Sequence, residues 1–155
     1  MILKGIITED FVNYKKPSMT LMFPKCSFKC GYDLCQNREL RNEKNIEVTS
    51  GEIIQAYISN PITEAIVMQG LEPMDSFDEV AEFIETLREN YNCLDDVVIY
   101  SGYSEAELTE QIDVLRNFKN IIIKFGRYKP NEVGYIDEIL GVLLPSMNQY
   151  SKKIS

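Results

Sequence analysis

The stretch "EAIVMQGLEPMDSFDEVAEFIETL", Glu64–Leu87, changes its hydrophobic period part-way along. From Ala65 to Gly70 it is nearly all apolar and too short for a helix, the pattern of a strand covered on both faces. From Phe77 onward, Phe77, Val80, Ala81, Phe83, Ile84 and Leu87 recur at helical spacing. Between the two, Ser76 followed by Glu79 has the form of a capping box, in which hydroxyl and carboxylate satisfy the first free amides of a helix. Strand, turn and capped helix follow one another without a linker.

The unit recurs. "VVIYSGY" (Val97–Tyr103) is followed by Ser104 and Glu107, then by Leu108, Ile112 and Leu115 at helical spacing. Thr49 and Glu52 mark the start of an earlier helix. "SMTLMFP" (Ser18–Pro24) and "NIIIKFG" (Asn120–Gly126) read as two more apolar strands, and "ILKGIIT" near the N-terminus as another. Apolar strands alternating with amphipathic helices predict an α/β fold of mostly parallel strands with covering helices. About four such units fit into the 155 residues. A closed eight-stranded barrel takes roughly 250 residues, so an open, partial β/α barrel is expected, as one domain over residues 1–155. In such sheets ligands bind beyond the carboxyl ends of the strands. The segments after Pro24, "QGLEPMD" and "SGYS" should therefore meet on one rim.

Composition narrows the chemistry. The net charge is −8 and no basic block is present, which argues against a nucleic-acid groove. No apolar run reaches the roughly 18 residues of a membrane span, and "MILKGIITEDF" has no secretory pattern, so a cytoplasmic location is expected. There is no histidine, which removes Ser-His-Asp and Cys-His catalysis and His-ligated zinc. A metal here would rest on cysteine or carboxylate.

Three of the four cysteines, Cys26, Cys30 and Cys35, fall within ten positions in "KCSFKCGYDLCQN". Free thiols in a packed core are one reading, but the spacers "SFK" and "GYDL" are those of a loop wrapped round something. Structural zinc prefers two close pairs of ligands, and no second pair exists. An odd cluster in a reducing compartment disfavours disulfides. Thiolates are the usual ligands of a [4Fe-4S] cube, and three of them leave one iron open for chemistry. Cys93, in "NYNCLDD", reads as an isolated thiol, though a zinc or electron-transfer site using it as a fourth ligand is an alternative.

A three-cysteine loop after a strand, followed by a Gly-Glu-Pro turn after the next, resembles the radical S-adenosylmethionine (SAM) superfamily. The finer resemblance is to the activating proteins of anaerobic ribonucleoside-triphosphate reductase, through "CQN", "MQGLEPMD", "YSGYSEAEL", "KFGRY" and "LGVLLPSMNQ". It spans about Glu9 to Ile154. The family pattern has two residues between its second and third cysteines where this chain has four, and often paired glycines where this chain has Gln69 and Gly70.

The resemblance implies a radical SAM type of partial barrel and a [4Fe-4S] cluster on Cys26, Cys30 and Cys35, with SAM as second cofactor. It implies that Gly70, Glu72 and Pro73 receive the SAM amino group and that Ser101 contacts ribose. Tyr32 or Leu34 would pack against adenine, and Lys124 and Arg127 would neutralise the carboxylate. Asn148 and Gln149 would line the rim or face a partner. The implied reaction is oxidoreductive: SAM is cleaved and a glycyl radical is formed on an anaerobic ribonucleotide reductase. Another glycyl-radical enzyme or a small molecule is the alternative target. The electron would come from an external donor such as flavodoxin or ferredoxin.

Overall fold

The structure, a computed structural model, describes residues 1–155. Its strands are β1 (Ile2–Leu3), β2 (Gly5–Asp10), β3 (Ser18–Phe23), β4 (Ile46–Glu47), β5 (Ala65–Gly70), β6 (Asp96–Tyr100), β7 (Ile121–Phe125), β8 (Tyr135–Asp137), β9 (Val142–Leu144) and β10 (Tyr150–Lys153). The helices are α1 (Ser50–Ser59), α2 (Phe77–Glu89) and α3 (Thr109–Leu115). Six strands form one sheet in the order β10-β7-β6-β5-β3-β2. Its centre, β3, β5, β6 and β7, is parallel, while β2 and β10 close the two edges antiparallel. The protein is mixed α/β with a central, mostly parallel sheet.

The apolar runs read as strands are strands, except that "ILKGIIT" breaks at Lys4 into β1, which pairs with β4, and β2, which pairs with β3 in the main sheet. The count of units is smaller than expected: three helices link the four parallel strands, and the chain after β7 folds instead into the β8–β9 hairpin and returns as β10. "YSKK" has no apolar alternation to announce β10. Its place is set by pairing with the free edge of β7, from Tyr150 opposite Phe125 to Lys153 opposite Ile122.

The two faces of the sheet differ. Met19, Leu21 and Phe23 of β3, Ile66 and Met68 of β5, Val97 and Ile99 of β6, and Ile121, Ile123 and Phe125 of β7 point to the face covered by helices. There they meet Ile53, Ile54, Phe83, Ile84, Leu87, Ile112 and Leu115 in one core. Truncating a fully buried aromatic such as Phe83 to alanine would cost about 3–5 kcal/mol. On the opposite face Ala65, Val67, Val98 and Ile122 carry only a small cluster with Tyr14, Leu140 and Leu144. Polar strand residues, Thr20, Tyr100 and Lys124, share that face by alternation. It is left thinly covered, and a cavity lies there.

Two of the three capping boxes form. Thr49 and Glu52 exchange hydrogen bonds at the start of α1, and Ser104 and Glu107 do so ahead of a single tight turn, Glu105–Leu108, that leads into α3. The Ser76–Glu79 box does not form. Ser76 is buried with its hydroxyl unpartnered, and Glu79 lies 3.4 Å from the amide of Ile2. The reason is local. A turn over Pro73–Ser76 precedes α2, and Glu72 caps it by accepting from the amide of Met74. No helix is long and apolar enough to cross a membrane.

Candidate iron–sulfur site

A cavity of about 340 Å³ opens where the carboxyl ends of β3, β5, β6 and β7 meet. Cys26, Cys30 and Cys35 line it together with Gly70, Glu72, Ser101, Lys124, Arg127 and Gln149. The three segments expected to share a rim do share it. Pro73 is buried behind the wall rather than lining it, and Tyr32, Leu34 and Asn148 are also outside. Tyr32 is 41% exposed and packs edge-on against Phe28 at 5.2 Å. Leu34, in the same "GYDL" spacer, is 48% exposed, so neither candidate for the adenine contact lines the cavity in this arrangement.

The floor rests on Gly70. Its φ of +108° is in the region that favours glycine, and a Cβ there would lie 2.7 Å from the amide nitrogen and 2.9 Å from the carbonyl oxygen of Phe23. Only a residue without a side chain lets β5 and β3 close in this way. The Gly70 carbonyl then accepts from Asn37 Nδ2 at 2.9 Å, which ties the end of the cysteine loop to the turn. The start of the loop is held by Asp75. Its carboxylate accepts from the amide of Ser27 at 2.8 Å and from the hydroxyl of Tyr103 at 2.7 Å. Neither Asp75 nor this use of Tyr103 is legible in the sequence, because the pairing joins the segments after β3, β5 and β6 and no local pattern signals it.

Within the loop, Phe28 takes φ +51°, uncommon for a bulky residue, and turns its amide back onto Cys26 Sγ at 3.2 Å. Burial pushes the Cys26 thiol up to about 11; Glu72 and Asp75 add to this and the Phe28 amide opposes it. Burial and the neighbouring Cys35 raise Cys30 as well, with Arg127 acting against them. Thiols of this kind bind metal by giving up their protons.

Glu72 is 4% exposed. Its carboxylate accepts from the amides of Met74 at 3.1 Å and Gly102 at 2.8 Å, so it bridges the ends of β5 and β6. Burial raises its pKa against those hydrogen bonds. Lys124, buried on the cavity face of β7, is pushed down to about 8 by burial, with Glu72 partly restoring it. Its Nζ donates to the Gly126 carbonyl at 2.8 Å. Gln149 Nε2 donates to that same carbonyl at 3.2 Å, which leaves Oε1 as a buried, unpartnered acceptor. Arg127 forms a two-pronged ion pair with Glu107 at 2.8 and 3.0 Å and lies over the Tyr103 ring. It is therefore engaged by a carboxylate of the chain itself.

Cys93 is elsewhere. It follows α2 and precedes the amino end of β6, and its Sγ lies 3.6 Å from Asp95. The other three thiols follow the carboxyl end of the parallel strand β3, so about the length of a strand, ~17 Å, separates them from Cys93. A four-cysteine site is not available to this fold.

Residues 17–133 match the model of a family described as a 4Fe-4S single cluster domain. The chain belongs to that family. A 4Fe-4S cluster-binding domain therefore begins just before β3 and takes in all four parallel strands. None of the curated proteins matches the chain. The donor set fits such a cluster. Three soft sulfur donors, with no histidine in the chain, line one end of the cavity, and iron–sulfur clusters take thiolate ligands of this kind.

Proposed function

We propose that this 4Fe-4S protein is a radical SAM activase that forms a glycyl radical on an anaerobic ribonucleoside-triphosphate reductase. The observation that supports it best is the meeting of three thiols, and not four, with the Gly70–Glu72 turn in one cavity. Cys26, Cys30 and Cys35 would hold the cube. The chemistry it supplies when bound is delivery of one electron to the SAM sulfonium, releasing methionine and a 5′-deoxyadenosyl radical that takes a hydrogen atom from glycine. The open sheet, helix-covered on one face and bearing the cavity on the other, is consistent with a partial barrel of the radical SAM type.

The chain's own residues would do the rest. Gly70 brings the backbone against β3 and lines the cavity beside Glu72, where a ligand's amino group would sit. Glu72, buried and braced by two amides, offers it a fixed negative charge. Lys124 sits on the same cavity wall as a counter-charge for a carboxylate, while Arg127 could serve only by leaving Glu107. Ser101, whose hydroxyl accepts from the amide of Tyr103, is the ribose candidate. No step needs a general acid or base, consistent with the lack of histidine.

Anaerobic reconstitution should yield about four iron and four sulfide per chain, and SAM with dithionite should then give 5′-deoxyadenosine. A loaded cluster that never cleaves SAM would end this reading. Adding an anaerobic reductase should produce the doublet of a glycyl radical in electron paramagnetic resonance; cleavage without it would point to another target. A cytoplasmic location belongs to the same proposal.

A further inference from the structure

We propose that the cysteine loop, residues 25–44, is the docking face for an acidic one-electron donor protein. The proposal deepens the reading above and rests on it for the direction of electron flow. The donor loses one electron to the centre held by the thiols, with no bond made or broken.

The chain is acidic, but this segment is not. It carries Lys25, Lys29, Arg38, Arg41 and Lys44 against Asp33, Glu39 and Glu43, a net +2 within a total of −8. Lys4 joins it, donating to the carbonyls of Arg41 and Glu43. The five cations of the segment are all exposed.

Their partners matter more than their number. Of the eleven cations outside the segment, five have a carboxylate partner: Lys16 with Asp96, Arg116 with Asp113, Arg127 with Glu107, Lys129 with Glu132 and Lys152 with Glu105. In the loop only Arg38 has a carboxylate, that of its exposed neighbour Glu39. Lys29 lies instead over the Tyr103 ring at 4.8 Å, and Arg41 over Phe28 and Tyr32 at 5.4 and 5.6 Å. An aromatic face orients a cation without cancelling its charge, so the field of the loop reaches solvent. Among these cations Tyr32 and Leu34 are 41% and 48% exposed, an apolar centre inside a basic surround. The three thiols belong to the same loop and none is fully buried. A partner bearing carboxylates would be steered to the place where its redox centre comes nearest the cluster.

The test uses the reconstituted protein, with a flavodoxin as the acidic carrier and cytochrome c as a basic carrier of similar size. Flavodoxin should bind with a Kd that weakens as salt rises, and any binding of cytochrome c to the acidic remainder of the chain should not weaken when the loop cations are replaced. Combining Lys25→Glu, Arg38→Glu and Lys44→Glu should weaken flavodoxin binding on the order of tenfold or more, and the matching glutamine variants should fall between. Iron and sulfide content confirms that each variant folds round its cluster. Flavodoxin-driven SAM cleavage should fall with binding, while dithionite-driven cleavage stays unchanged. Unaltered affinity in the triple glutamate variant, or salt-independent binding, overturns the proposal. If dithionite drives no cleavage even in the unaltered protein, the activase reading falls, and the binding measurements still decide the docking face.

Discussion

Asn37 Nδ2 donates to the carbonyl of Gly70 at 2.9 Å, and this bond joins the last residue of the "CQN" segment to the strand end under the cavity. Replacing Asn37 by alanine removes one neutral hydrogen bond, worth about 1 kcal/mol of stability. The larger effect should be on the loop. Iron loss to a chelator should be faster in Asn37→Ala than in the unaltered protein, and equal rates would show that the bond does not hold the loop.

Gly70→Ala meets backbone, not a movable side chain, at 2.7 and 2.9 Å. Together with the positive φ this should destabilise the fold by about 2–4 kcal/mol, read from urea unfolding. A loss under 1 kcal/mol would mean that β3 and β5 separate easily at this end.

Serine substitution separates the four thiols. Cys26→Ser, Cys30→Ser and Cys35→Ser should each lower the iron bound after reconstitution by at least half. Cys93→Ser should leave it unchanged, because Cys93 is at the far end of the sheet. Iron lost in Cys93→Ser would overturn the assignment of three ligands.

Glu72→Gln preserves shape but not hydrogen-bonding sense. The carboxylate accepts from two amides, Met74 and Gly102, and a carboxamide must turn its own donor toward one of them. A loss of roughly 1–3 kcal/mol is expected in denaturant unfolding, with weaker SAM binding by calorimetry.

Lys124 gives a pH signature. Its pKa is about 8 in the fold against 10.5 for an ordinary lysine. Below about pH 8 both states hold the proton, and the cost of the buried ammonium is fully present. From there toward pH 10.5 the unfolded chain holds more protons, so this residue makes stability rise with pH. Relative to Lys124→Met, the unaltered protein should gain roughly 1–3 kcal/mol between about pH 7 and pH 10. Parallel stability curves for the two proteins would refute it.

Strands β3, β5, β6 and β7, the three helices and two of the three helix starts were legible because each is announced within a dozen residues, by period or by cap. The thiol loop was legible too, since residue type and spacing alone carry it; the close approach of β3 that requires glycine at position 70 belongs to the fold. The Ser76 cap failed because Glu72, four positions earlier, caps a preceding turn first. Strand β10 had no apolar pattern of its own and exists because β7 leaves an edge to fill.

What the sequence by itself determined was chemistry: sulfur ligands without histidine, and alternating units that set strand ends beside one another. What only the tertiary structure decided was company. It put Cys93 a strand's length from the other thiols, engaged Arg127 with Glu107, turned Tyr32 outward and set Lys124 near Glu72. Those outcomes depend on contacts between residues far apart in the chain, and periodicity and capping signals carry no information about such pairs.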